Sequence, residues 1–120
     1  MMEIFREFSF EAAHWLPNVH EGHRCASLHG HSYRVEVHVR GQVGADTGWI
    51  LDFAEITDAF RPLREQLDHH CLNDVAGLEN PTSENLARWI WHRLDGTLPV
   101  SAVLVRETAA SGCRYEGDEP

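Results

Sequence analysis

The chain has 120 residues, 42% of them hydrophobic and 24% charged, with a formal net charge of −9. That is enough for one domain around one core, and no apolar run is long enough to span a membrane. The acidic balance excludes nucleic-acid binding through a broad basic face, yet leaves room for a phosphorylated small molecule held by a few local arginines. Residues 1–7 lack the basic flank and apolar stretch of a signal peptide. The three cysteines, Cys25, Cys71 and Cys113, are odd in number and form no C-x-x-C pair. Both features lead to an expectation of reduced thiols and a cytoplasmic location.

Taken in chain order, Phe8, Phe10 and Ala12 alternate with Glu7, Ser9 and Glu11, the period of a half-buried strand running to His14. Pro17, Asn18 and Gly22 punctuate a polar stretch that ends near Leu28, so a loop is expected there. A second strand follows, with Tyr33, Val35, Val37 and Val39 facing in and Arg34, Glu36, His38 and Arg40 facing out. After a turn over 41–48, Trp49-Ile50-Leu51 is expected to form a short strand. Asp52 and Glu55 make a capping box. It opens a helix whose stripe is Phe53, Ile56, Phe60, Leu63 and Leu67, with a kink expected at Pro62.

A second helix is expected to start in "NPTSE", residues 80–84, with Pro81 in its first turn. Its stripe is Leu86, Ala87, Ile90, Trp91 and Leu94. Ser101 to Glu107 is a further strand, and 112–115 a short last one. Strands and helices are grouped rather than alternating. The class is therefore α+β, one domain over 1–120, with a mostly antiparallel sheet.

Five of the nine histidines fall within residues 14–31. His29 and His31 share the strand parity of Tyr33 and Val35, and His14 shares that of Phe10 and Ala12. Three imidazoles thus end two neighbouring strands on the core side. Such a set suits Zn²⁺ and leaves a fourth position open, as catalytic zinc sites do. The competing reading is three histidines hydrogen-bonded at the edge of a core. His20 and His23 lie in the loop and are expected to be solvated.

Cys25, four residues before His29, fits a base or nucleophile if a metal is near, and otherwise a small packing residue, as Cys71 and Cys113 are expected to be. Asp68-His69-His70 after the first helix fits a carboxylate–imidazole pair, or a polar helix end. Glu107 continues the apolar parity of Val103 and Val105, an unexpected place for a carboxylate that binds nothing. Thr82, Ser83 and Glu84 are compatible with ordinary helix caps.

Taken together, C-x3-H-G-H at 25–31, His14 in "FSFEAAHWLP", Asp68-His69 in "LDHHCLND", the "PTSENLARWIW" helix and Glu107 in "VLVRETAASGCRY" resemble the 6-pyruvoyl-tetrahydropterin synthase superfamily, and within it the bacterial carboxypterin-forming branch. The resemblance covers residue 3 to about 116. It implies the tunnelling fold: a four-stranded antiparallel sheet with two helices on one face, joined edge to edge in trimers that stack as a homohexamer with sites between subunits. It implies Zn²⁺ on His14, His29 and His31, Cys25 as general base and Asp68 with His69 as proton relay. Glu107 would then anchor a pterin, helped by Thr82, Ser83 and Glu84.

The implied reaction is a zinc-dependent lyase step on 7,8-dihydroneopterin triphosphate, in queuosine and 7-deazapurine synthesis, with no nicotinamide cofactor. Arg24 is the expected local charge for the triphosphate. Nucleic acid and membrane are not expected partners. Alternatives are the pyruvoyl-forming reaction without carbon–carbon cleavage, a non-catalytic zinc protein, and a three-histidine hydrolase. The hydrolase would need a carboxylate near the metal, and the nearest in sequence, Glu11, has the wrong strand parity.

Overall fold

Two long strands carry the architecture. In the computed structural model, which describes residues 1–117, β1 (Met2–His14) and β2 (His29–Gly41) pair antiparallel from Met2↔Gly41 to His14↔His29 without a break. Helix α1 (Phe53–Leu67), strand β3 (His70–Cys71), helix α2 (Ser83–Leu94) and strands β4 (Val100–Thr108) and β5 (Ser111–Tyr115) complete the element order. The sheet order is β3-β1-β2-β4-β5.

The α+β class with two helices matches the expectation, but the sheet does not. It has five strands and is mixed, because β3 pairs parallel to β1 through Ala12↔His70 and Ala13↔Cys71. The chain leaving α1 returns alongside β1, where the His69 N–H donates to the Glu11 carbonyl at 2.6 Å, and so adds a short edge strand. Trp49–Leu51 is not a strand either. Its backbone closes a local loop, in which the Gly44 N–H donates to the Trp49 carbonyl at 2.8 Å and the Gly48 N–H to the Gly44 carbonyl at 2.9 Å.

The capping box is formed. The Asp52 side chain accepts the Ala54 N–H at 2.9 Å, and Glu55 accepts the Asp52 N–H at 3.1 Å. Helix α1 then runs through Pro62 to Leu67 as one element. Ile56, Phe60, Leu63 and Leu67 are buried on its inner side, while Pro62 lies on the exposed side. Phe53, expected in the stripe, is 48% exposed in the first turn. Helix α2 begins at Ser83 with Thr82 as its N-cap, so Pro81 precedes the cap instead of entering the first turn. Trp89 is the more buried tryptophan of α2 and donates its indole N–H to the Ala76 carbonyl at 3.0 Å. Trp91 is only half-buried, edge-on to Tyr115.

Tyr33, Val35, Val37 and Val39 of β2 face the helices and are fully buried with Phe10, Val103 and Val105. Phe8 stacks on Phe60 at 4.2 Å between ring centroids, joining β1 to α1. Removing the Phe60 ring deletes that stack and leaves a void in a packed interior. Phe60→Ala is therefore expected to cost about 3–5 kcal/mol in a denaturant melt. A loss below about 1 kcal/mol would mean that the interface collapses around the void.

His38 lies on the opposite face, as its parity predicts, but it is not solvated. Its ring stacks on Phe5 and sits between two carboxylates, Glu3 at 3.1 Å and Glu36 at 2.9 Å.

Candidate functional site

The last rungs of the β1–β2 ladder place His14 opposite His29 and Ala12 opposite His31. Cross-strand partners share a face, so all three imidazoles project to the core side. One ring nitrogen from each lies within 4.8 Å of the others. The hydrogen bonds fix which nitrogens these are. His14 Nδ1 lies 2.8 Å from the Pro81 carbonyl, and His29 Nδ1 lies 2.7 Å from the Ser27 carbonyl. A carbonyl only accepts, so both Nδ1 atoms carry a proton, and in the neutral rings both Nε2 atoms are therefore bare. Those two Nε2 atoms are 2.9 Å apart. Two lone pairs at that distance repel unless a cation lies between them. His31 Nε2 is buried without a hydrogen-bond partner, which is costly for a polar atom.

Three converging imidazole nitrogens, that of His31 buried without a partner, are the donor set of a metal site, and these residues could hold an ion. Burial, above all, lowers the pKa of His14 from its ordinary value, which favours the neutral form that binds metal.

Tyr33 was not expected in this group. It is fully buried, and its hydroxyl lies 3.1 Å from His14 Nδ1. Burial pushes its phenol up, so it stays protonated. Its parity, two residues after His31, is the one sequence signal that points to it. Groups behind a ligand orient the ring and tune its affinity. Tyr33→Phe is expected to weaken metal binding about tenfold in competition with a chelating dye. Unchanged affinity would assign the orienting role to the Pro81 carbonyl alone.

A cavity of about 480 Å³ opens over the cluster. His14, His29, His31, Cys25, Arg24 and Glu107 all line it, which brings four separate segments of the chain together. Glu107 Oε2 is 3.8 Å from His31 Nε2. Cys25 is a half-buried free thiol in a single 3-10 turn, Arg24–Ala26.

Thr82, Ser83 and Glu84 are not among the residues lining this cavity. The Thr82 hydroxyl accepts the Asn85 N–H at 3.1 Å as the cap of α2. The start of α2 still reaches the cluster, because Pro81 holds His14. Glu84 lies close enough to Cys113 to raise its thiol pKa, after the larger effect of burial.

Asp68 and His69 are placed elsewhere. They follow α1, and His69 lines a separate cavity of about 510 Å³ with Glu11, Gly30, His31 and Ser32. Cys25 does not line that cavity. Asp68 accepts the Glu11 N–H at 2.9 Å and pairs with Arg64 at 3.4 Å. The Glu11 bond is the main cause of its lowered carboxyl pKa. His69 has φ of 61°, a left-handed conformation that costs a non-glycine residue about 1–2 kcal/mol. Strain of this kind persists where the surroundings enforce it, often at functional sites.

His20 is exposed, as expected. His23 is not simply solvated. It is half-buried, and its Nδ1 accepts the Cys25 N–H at 3.0 Å, capping the 3-10 turn.

Comparison with known proteins agrees with this architecture. The sequence profile of the family described as 6-pyruvoyl tetrahydropterin synthase matches residues 3–118. The chain belongs to the 6-pyruvoyl tetrahydropterin synthase family. A relative from Synechocystis, named 6-carboxy-5,6,7,8-tetrahydropterin synthase, is 46% identical over 122 residues, spanning 96% of this chain and 93% of the relative. A Pyrococcus furiosus relative, named dihydroneopterin monophosphate aldolase, is 36% identical over 97% of this chain and 90% of its own. The structure of Caenorhabditis elegans 6-pyruvoyl tetrahydropterin synthase superposes with a TM-score of 0.89 at 26% identity, covering 98% of this chain and 96% of that one. Family membership makes this a pterin-processing enzyme, and no helix among the described residues is long and apolar enough to cross a membrane.

Proposed function

We propose that the protein is a zinc-dependent carbon–carbon lyase of queuosine and 7-deazapurine synthesis. It converts 7,8-dihydroneopterin triphosphate and one water to 6-carboxy-5,6,7,8-tetrahydropterin, acetaldehyde and triphosphate. The observation that carries this reading is the single cavity lined by His14, His29, His31, Cys25 and Glu107. The Synechocystis relative supports the choice of product.

His14, His29 and His31 would hold the zinc ion. When bound, the ion supplies Lewis-acid stabilisation of negative charge on the substrate's side-chain oxygens. Glu107 accepts two N–H groups from the pterin's amino-pyrimidine edge, a bidentate match that neutral acceptors make poorly. Thr82, Ser83 and Glu84, at the start of α2, do not line the cavity within one chain and would assist Glu107 only if the bound pterin extends beyond it. Arg24 supplies positive charge for the triphosphate in an otherwise acidic chain. The Cys25 thiolate removes the proton from C1′, and that electron pair passes into the C6=N5 bond, so the ring is reduced while C1′ is oxidised to a carbonyl; loss of a second proton, from C2′, expels the triphosphate with its C3′–O bonding pair. Oxidation of C1′ to the carbonyl balances reduction of the ring, so no nicotinamide is needed; water then adds to C1′ and the C1′–C2′ bond breaks, leaving the carboxylate on the pterin and the other two carbons, protonated, as acetaldehyde.

In this reading Asp68 and His69 relay protons to and from Cys25. Within one chain His69 lines a different cavity from Cys25, and Asp68 lines neither. That separation supports assembly of the site from two subunits; the homohexamer of two stacked trimers and the cytoplasmic location are carried over from the family resemblance.

The test is anaerobic incubation of the zinc-loaded protein with 7,8-dihydroneopterin triphosphate. The pterin is identified by mass spectrometry, and acetaldehyde is assayed separately. Carboxypterin with acetaldehyde is the expected result. A pyruvoyl pterin without acetaldehyde would overturn the lyase assignment in favour of the reaction named for the C. elegans structure. Zinc binding without turnover would overturn the enzyme assignment of this site.

A further inference from the structure

We infer that His23 is a positioning residue for Cys25, its imidazole fixing the backbone that delivers the thiol into the cavity. The inference rests on the reading of Cys25 as the base. Residues 15–28 connect β1 to β2 with no regular structure except the turn Arg24–Ala26. A thiol on such a segment needs specific restraints to hold a position, and both backbone groups of Cys25 are engaged. Its carbonyl accepts the Leu16 N–H at 2.8 Å, tying it to the chain two residues beyond His14. Its N–H donates to His23 Nδ1 at 3.0 Å.

The first bond is main chain to main chain, and many sequences could make it. The second exists only because residue 23 carries an acceptor of the right reach. The same residue closes the turn with its backbone, since the His23 carbonyl accepts the Ala26 N–H at 3.0 Å. Accepting an N–H requires a bare Nδ1, so the ring proton sits on Nε2. Turn and helix caps are normally Ser, Thr, Asp or Asn. A histidine adds a ring that is half-buried and edge-on to His20 at 5.0 Å between centroids. The cap is thereby held in place. A thiol displaced by as little as about 1 Å from a reacting carbon loses much of its rate.

The experiment compares His23→Ala with His23→Asn in the full-length, zinc-loaded protein. The Asn side-chain oxygen lies where His Nδ1 lies, so Asn keeps the acceptor and loses the imidazole. Amide hydrogen exchange at Cys25, read by NMR, is expected to speed up at least about tenfold in His23→Ala. The turnover number should fall about tenfold with KM within about twofold. Metal content should not change. His23→Asn is expected to restore both exchange and turnover to within about threefold of the parent. The exchange measurement, together with the rate of Cys25 alkylation by iodoacetamide, does not depend on the substrate assignment. A failure of that assignment is therefore distinguishable from a failure of this one. Parental exchange in His23→Ala would overturn the inference. So would His23→Asn turning over as poorly as His23→Ala, which would mean the imidazole acts chemically, or loss of metal in step with turnover.

Discussion

Replacing Cys25 by alanine is expected to lower turnover of 7,8-dihydroneopterin triphosphate by about 10²–10⁴-fold, the range that a positioned acid or base supplies. The thiol lines the same cavity as the three histidines, but it does not belong to the cluster of nitrogens that could hold the ion. Metal content should therefore stay at the parental level. Because both backbone groups of Cys25 are bonded independently of its side chain, the turn should also stay formed. A serine at this position keeps the size and replaces the thiol by a much weaker base, so it should fail nearly as badly as alanine. Turnover within about tenfold of the parent would remove Cys25 from the mechanism and leave it a packing residue.

The second large effect falls on the metal. His29→Ala is expected to weaken zinc binding by more than about 100-fold, beyond the scale seen when only a supporting group is lost. His29 is the informative ligand to remove because it is half-buried, whereas His14 is 1% exposed and its loss would also damage the core. The measurement is thermal melting with and without zinc. An ion that binds only the folded chain stabilises it by about 2.7 kcal/mol at 100 times its dissociation constant. His29→Ala should abolish that stabilisation, and a parental zinc-dependent shift in the variant would sink the site.

The pH dependence has a defined sign. An unfolded histidine takes up its proton near pH 6.5, but folded His14 resists because burial lowers its pKa. The metal-free fold should therefore lose stability as pH falls below about 6.5, where the unfolded chain binds more protons than the folded one. Zinc should dissociate over the same range, because protons compete for the ligand nitrogens.

The site was partly legible in the sequence because strand parity is a two-residue rule. His14, His29 and His31 could be placed on one face from Phe10 and Tyr33 alone, and the structure puts them there. Asp52 and Glu55 were readable for a similar reason, since a capping box is local. What escaped the reading depends on chain return. Nothing in "LDHHCLND" announces that His70 and Cys71 pair parallel to β1 or that His69 turns left-handed to do so. The Pro81 and Ser27 carbonyls that set the histidine tautomers carry no side-chain signal at all. Alternation placed His38 on the outer face but said nothing of the two carboxylates and the phenyl ring that enclose it there. Trp49–Leu51 has strand-like composition, but the Trp49 carbonyl is taken by the Gly44 N–H in a local turn.

The rung that ends the β1–β2 ladder has one more consequence. A slip of one residue between these strands would leave nearly as many ladder hydrogen bonds, but it would bring Gly30 opposite His14 and turn every side chain of one strand to the wrong face. Only the native pairing presents three imidazole nitrogens to a single point. An ion that requires all three discriminates between registers, and it favours the correct one by its full binding free energy. With such an ion bound, the histidine cluster would mark the correct alignment of the longest ladder in the sheet.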